Sequence, residues 1–259
     1  PEASGPTADG WDRIVFSTDA PVSGSGTFSD IELWWDSIAF FDPAETNSGV
    51  TSNASYLDSD WLSLETKLGA SVISNPNGLN GTTYNFDGSN DYLEIYDPGN
   101  DLVLGGSMSF VIDVLFDHKS QDWSKVFDFG AGRADSNLLL TQYSDTDDMR
   151  VEWWDYQGNR IGNLKVNDVI EPGTWMQLAV TITDEGHVSF YKNGALLKDQ
   201  DFDPVPIESR PNLYIGKSHW SGDKYFEGQI GTFAIFDTAL PGFAVQQMYD
   251  ETSPMYDFL

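Results

Sequence analysis

Along most of this chain apolar and polar residues alternate in short runs, and Gly, Asn, Asp and Pro punctuate the runs. A period of two over a few residues predicts half-buried β-strands, and no stretch holds a helical period for long. Strands are predicted at 83–87, 91–95, 107–117, 124–129, 137–142, 149–155, 160–165, 175–183, 187–192, 195–198, 212–216 and 225–236. Tyr84 to Ile95 reads as two arms around a Gly88-Ser89-Asn90-Asp91 corner. Lys192-Asn193-Gly194-Ala195 is a hairpin signal, because Asn-Gly adopts the left-handed backbone of a two-residue turn. Residues 241–249 predict a short closing helix.

Upstream the pattern is weaker. Trp11–Phe16 and Ile31–Trp35 read as strands, and Leu57 to Leu68 carries a weak helical spacing interrupted by Ser and Thr residues that favour short turns. Residues 1–26 read as a linker or an edge strand, and 27–259 as one domain. The start, Pro1 to Thr7, resembles a linker cut from a larger polypeptide. The expected fold is all-β, an antiparallel β-sandwich of the jelly-roll kind.

Composition narrows the partners. Apolar residues make up 40% and aromatics 14%, enough for a packed core, while 41 acidic against 13 basic residues give a formal charge of -28. Nucleic acid and anionic membranes would be repelled at first encounter, and divalent cations or salt are the natural counterpart. There are no cysteines, which removes disulfides, thiol catalysis and thiolate zinc sites. No apolar run is long enough to span a bilayer, so membrane insertion is not expected.

Several phrases at consistent intervals carry a resemblance: Phe86-Asp87-Gly88 with Asn90-Asp91-Tyr92, Met108 to Val114, Val126 to Gly130, Gly173 to Thr181, Val188 to Gly194, Leu213 to Gly216, and Phe226 to Gly231 followed by Ala234 to Leu240. Together they resemble laminin-G-like modules of the concanavalin-A-like lectin and glucanase superfamily over roughly 80–250. Such modules recur in large secreted bacterial proteins, including calcium-rich adhesins. The resemblance implies a concanavalin-A-like sandwich, an extracellular or cell-surface location and a place within a larger multidomain polypeptide. One departure is Gly231, where the family often carries an acidic residue, so a contact from that position is lost.

If the strands alternate in direction, the loops at 88–90, 118–123, 143–148, 166–174, 193–194 and 217–224 share one end of the sandwich. Asp145, Asp147 and Asp148 are the first candidate calcium ligands, because closely spaced carboxylates and main-chain carbonyls supply the oxygens calcium takes. The resemblance points the same way: calcium-binding laminin-G-like modules place an Asp just before a strand, where Asp148 and its neighbour Asp147 stand here. The competing reading is a solvated acidic turn. Asp87, Asn90 and Asp91 have the oxygen chemistry for a second site, against the reading that such a corner caps its own turn. For a polar ligand the candidates are His219, Trp220, Ser221, Asp223 and Tyr225, beside Lys217, with Asp122 from the adjoining loop. A Trp in such a loop either stacks on a sugar ring or folds down as a lid. Of the pairs Trp34-Trp35 and Trp153-Trp154, one member faces the core and the other lines a concave surface or is covered by the N-terminal segment.

No catalytic scheme matches. The acid-x-acid-x-x-acid strand of laminarinase-type enzymes is missing, as are the Arg-rich and Gln-x-His strands of alginate-lyase-like modules. The three histidines stand apart in sequence. The expected function is a non-catalytic, Ca2+-dependent carbohydrate-binding module of a secreted adhesin, with extracellular or cell-surface glycans as partners. The alternatives are a protein- or peptide-binding module, a structural spacer, or an auxiliary domain of a secreted polysaccharide-degrading enzyme.

Overall fold

The computed structural model describes residues 39–40, 63–67, 71–74, 82–96, 104–119 and 121–252. The expectations for 1–26, for the strand at 31–35 and for Trp34-Trp35 lie outside the described residues. In chain order the elements begin with β1 (Ala39–Phe40), β2 (Ser63–Lys67), β3 (Ser71–Ser74), β4 (Thr82–Asp87) and β5 (Tyr92–Tyr96). Then come β6 (Met108–Phe116), β7 (Lys125–Gly130), β8 (Leu138–Gln142), β9 (Met149–Trp154) and β10 (Arg160–Val166). The last are β11 (Trp175–Ile182), β12 (His187–Lys192), β13 (Ala195–Asp201), β14 (Asn212–Ile215), β15 (Glu227–Phe236) and α1 (Gly242–Thr252).

These strands make two antiparallel sheets. The first runs β13-β12-β11-β6-β15-β4-β3, with β1 also pairing β15, and the second runs β10-β9-β8-β7-β14-β5-β2. The chain is therefore an antiparallel β-sandwich, as the alternation predicts. Alternation decides which side chains meet between the sheets. Phe110, Ile112 and Val114 of β6 enter the same core as Phe127 and Phe129 of β7, Leu138 and Leu140 of β8, and Val151 and Trp153 of β9. Phe110 stacks on Phe127 at 4.7 Å, and Phe233 meets Phe127 edge-on at 5.6 Å. Each fully buried ring of this size contributes about 1.5–3 kcal/mol.

β6 is buried on both faces for a separate reason. Val111 points the other way, into a second cluster with Ala179, Tyr191, Ala234, Leu240 and Val245, where α1 covers the first sheet. At the opposite edge Trp153 lies on Gly162, where an added Cβ would come within 2.0 Å of the indole. That glycine is what lets β10 close against β9 over so large a ring.

The residues 63–67 form a strand where the spacing suggests a turn or a weak helix. Five consecutive partners, from Ser63↔Tyr96 to Lys67↔Tyr92, join them to β5. Pairing at the sheet edge overrides a local preference this slight. The Asn-Gly hairpin forms as expected, with φ of 51° at Asn193 and 76° at Gly194. No helix among the described residues is long and apolar enough to cross a membrane.

Candidate functional site: the outward face of the second sheet and its rim

The pairings bring the ends of β8, β10 and β14 to the same edge as the starts of β5, β7 and β9. The loops 88–91, 117–124, 143–148, 167–174 and 216–226 thus gather at one end of the sandwich. Glu227 stitches several of them together. Its side chain lies 2.7 Å from His118 Nε2, its main-chain N–H donates to Gln121 Oε1 at 2.7 Å, and its carbonyl accepts from the Gln121 amide. Gly88, at φ +72°, fits beneath the same Glu227 side chain, where an added Cβ would meet Oε2 at 2.8 Å.

Because Val151 and Trp153 face the core, Arg150, Glu152 and Trp154 of β9 face outward. Cross-strand register sets one outward row across the sheet: Glu94, Tyr214, Asp128, Leu139, Glu152 and Asn163. An outward sheet face is ordinarily solvated and polar. This one is largely closed, with Asp128 at 0% exposure, Lys125 at 3% and Glu152 at 6%.

The 217–224 segment provides the cover. Asp128 Oδ2 accepts the His219 main-chain N–H at 2.9 Å, and its Oδ1 accepts from Asn137 Nδ2 at 2.8 Å and lies 3.1 Å from His219 Nδ1. Lys125 Nζ donates to Asp223 Oδ2 at 2.7 Å and to the Trp123 carbonyl at 2.8 Å, while Ser218 Oγ–H also donates to Asp223 Oδ2. Between these two fastenings the half-buried Trp220 ring lies 5.9 Å from that of Trp154, with Lys125 Nζ 5.5 Å from its centre. Trp220 is thus placed against the sheet, and Ser221 is exposed at the turn. Tyr225 lies 6.5 Å from Tyr92, and the Asp122 carbonyl accepts the Lys224 N–H at 3.2 Å. Asp122 Oδ1 accepts the Ser144 hydroxyl at 3.3 Å, which joins the 217–224 and 143–148 loops through one residue.

Aromatic rings and cations fill the flanks. Lys217 lies 4.0 Å from the Tyr92 ring and 4.1 Å from that of Tyr214, whose phenol is pushed above its ordinary 10.0 by burial. On the other side Arg150 lies 4.2 Å from Tyr143 and 5.3 Å from Trp123, and it pairs with Glu152 at 2.6 Å.

At the rim, carboxylate oxygens of Asp147, Asp148 and Asp168 lie within 4.8 Å of one another. Asp145 is exposed and stands outside that group. Asp168 is the member that the sequence pattern does not single out, for it lies 20 residues beyond Asp148. The β9–β10 pairing, which ends at Val166↔Met149, returns it there. Asp148 Oδ1 accepts the Asp168 N–H at 3.0 Å and Oδ2 lies 2.7 Å from Lys165 Nζ; Asp147 lies 3.7 Å from Lys119. Burial pushes the Asp148 carboxyl up, but Lys165, the Asp168 N–H and Thr146 together hold it below its ordinary 3.8. That contact therefore stabilises the fold above about pH 4 and is lost as the pH falls further. Beside the group lies a cavity of about 380 Å³ lined by Lys165, Asn167, Asp168, Lys192 and Lys198.

The corner at 87–91 is held by its own side chains. Asp91 Oδ2 accepts the Asp87 N–H at 3.1 Å, and Asp87 Oδ1 accepts the Ser89 N–H at 2.8 Å. Burial pushes the Asp91 carboxyl above 3.8, against the pull of the Asp87 N–H. Asn90 is exposed. These are the contacts of an Asx-capped turn.

Comparison with known proteins places the architecture. No curated protein matches the sequence. Among solved structures, the binding domain of botulinum neurotoxin serotype G is similar, with a TM-score of 0.57 at 16% identity over 74% of this chain and 47% of that one. Botulinum neurotoxin type C, described as dependent on interaction with two ganglioside molecules to enter cells, gives 0.61 at 13% identity over 82% and 50%. The binding domain of botulinum neurotoxin DC in complex with rat synaptotagmin II gives 0.59 at 10% identity over 82% and 50%. The chain thus spans about half the length of these structures, and at such identities the likeness concerns the fold. Residues 87–246, more than half of the chain, match the laminin-G-type family model of the concanavalin A-like lectin/glucanases superfamily, and the chain belongs to that superfamily.

Proposed function

We propose that this chain is a non-catalytic carbohydrate-binding module of an exported, surface-associated protein, with the outward face of the second sheet and its rim as the ligand surface. The observation that carries the reading is the set of aromatic rings on that face: Trp154 beneath Trp220, flanked by Tyr92, Tyr214, Trp123 and Tyr143. Sugar rings present apolar C–H faces and hydroxyl edges, which suit aromatic side chains interleaved with paired charges. The non-catalytic part is supported by the two enclosed carboxylates of the face. Asp128 is taken up by His219 and Asn137, and Glu152 by Arg150 with Arg160 3.8 Å away. A pair of glycosidase carboxylates needs open access to the bond between them.

Calcium is proposed at Asp147, Asp148 and Asp168, whose hard oxygen donors suit it. The donor set fits with one condition, that Lys165 gives up its contact with Asp148 Oδ2. Calcium bound there would compensate the carboxylates in place of that ammonium and fix the 143–148 and 167–174 loops. Calorimetric titration is expected to show calcium binding that weakens about tenfold or more when Asp147 and Asp148 are both changed to Ala, and that tightens in Lys165→Ala. Unchanged isotherms in both variants would remove the site.

The function is tested on an array of immobilised glycans, probed with and without a chelator. Binding to a defined set of glycans is expected, with loss on chelation if calcium orders the rim. Trp220→Ala is expected to weaken that binding about tenfold or more, while stability falls by only about 1–2 kcal/mol for a half-buried ring. No binding under either condition, with a melting temperature that falls on chelation, would instead favour a structural spacer.

A further inference from the structure

Against the outward face of the second sheet, four enclosed polar atoms lack a hydrogen-bond partner: Arg150 Nε, Trp154 Nε1, Asn163 Oδ1 and His219 Nε2. Two of them belong to residues that touch Asn137. The Asn137 carbonyl accepts the Trp154 main-chain N–H at 2.8 Å, and the Asn137 side-chain nitrogen lies 3.4 Å from His219 Nδ1. The His219 side chain is 6% exposed, and its Nδ1 faces Asp128, so Nε2 is the nitrogen left over. The other groups that fasten this loop, Asp128, Lys125 and Asp223, are each bonded more than once. Enclosed polar atoms are nearly always paired, and a buried indole N–H usually finds an acceptor.

We infer that Trp154 Nε1 and His219 Nε2 are the polar contacts of a closed saccharide subsite beneath the 217–224 loop, and that the Trp220 side chain swings away to admit the ligand while the loop stays fastened. The inference rests on the carbohydrate-binding reading above and says which chemistry the site selects. The indole N–H only donates. His219 Nδ1 lies 3.1 Å from Asp128 Oδ1, and in the tautomer that places the proton on Nδ1, Nε2 is the acceptor. Sugar hydroxyls suit each of them, because a hydroxyl can accept from the indole N–H and can donate to the imidazole nitrogen. A carboxylate or sulfate oxygen accepts only, so it would leave Nε2 unmet. The subsite therefore favours a neutral ring bearing hydroxyls, whose apolar face would lie on Trp220. The Trp154 and Trp220 rings lie 5.9 Å apart, so the Trp220 side chain must swing aside for a sugar ring to pass between them, with the contacts to Asp128 and Lys125 kept.

Trp154→Phe keeps an aromatic ring and deletes the N–H. On an array of immobilised neutral, uronate-bearing and sialylated oligosaccharides, wild type is expected to bind neutral glycans, with half-saturation in W154F raised about tenfold or more. The melting temperature of W154F is expected to stay level or rise, since the change removes an unpaired buried donor. In NMR, the indole N–H signal missing from W154F is expected to be the one that moves when a bound neutral glycan is added to wild type. Equal binding by both proteins, or an indole signal that stays still, would overturn the subsite while leaving the carbohydrate-binding reading intact. Lost binding accompanied by a lower melting temperature would make the N–H a structural group and overturn it as well. A wild type that binds no glycan at all would instead remove the reading on which the subsite rests.

Discussion

Changing Asp128 to Ala is expected to lower the free energy of unfolding by about 3–5 kcal/mol, as two hydrogen bonds to a buried charged acceptor are lost at ~1.5–3 kcal/mol each. Asp128 is fully enclosed although it lies on the outer face of the sheet, and it is there to receive the His219 N–H and the Asn137 amide. Without the carboxylate, both donors stay enclosed and unmet, and the 217–224 segment loses its inner fastening. Asp128→Asn keeps one acceptor oxygen but turns an amide toward a donor, so an intermediate loss is expected. Urea unfolding gives the size of the effect, and amide exchange in 217–224 shows whether the loop releases first. A change of less than about 1 kcal/mol would mean that the loop is held by something else.

Lys125→Met is expected to cost about 3–5 kcal/mol as well, for the physics of a half-removed buried ion pair. The Lys125 and Asp223 side chains are 4% and 16% exposed, and their 2.7 Å contact is the outer fastening of the same segment. Removing the lysine leaves the Asp223 carboxylate enclosed with Ser218 as its remaining donor. Replacing both partners by apolar residues, Lys125→Met with Asp223→Leu, is expected to recover most of the loss, since no charge is then stranded. A single variant within about 0.5 kcal/mol of wild type would contradict the enclosure. So would a double variant no better than the single one.

The fold was legible where pattern and packing agree. Strands such as Met108–Phe116 and Trp175–Ile182 are long, apolar and bounded by turn residues, and the predicted bounds fall within a residue of the observed ones. The end of β13 was missed because Asp199 to Asp201 carry no apolar alternation; main-chain pairing to β12 extends the strand. The same limit applies to 63–67, where the partner strand decides and the local sequence does not.

The site was legible in part. Counting strands brings the right loops to one end, because alternation of direction follows from a strand count. It does not say how a loop lies once it leaves the sheet. For Trp220 the sequence leaves two placements open, stacking on a sugar at the rim or folding down as a lid, and the loop runs back over the face and sets that ring on Trp154. Its direction is fixed by Asp128 and Lys125, two residues of β7 that the sequence pattern marks as strand and not as site. Asp168 escaped notice for a similar reason: one Asp in a loop carries no pattern, and only the β9–β10 register brings it to Asp148. A charged residue inside an otherwise apolar strand, as in Val126-Phe127-Asp128-Phe129, was the signal available for the first of these.

The most direct test of the central claim is a crystal structure of the protein soaked with the neutral oligosaccharide that binds most tightly on the array. The account predicts sugar density on the outward face of the second sheet, with a ring against Trp220 and a hydroxyl at Trp154 Nε1. Density confined to the first sheet, or to the surface around α1, would contradict it.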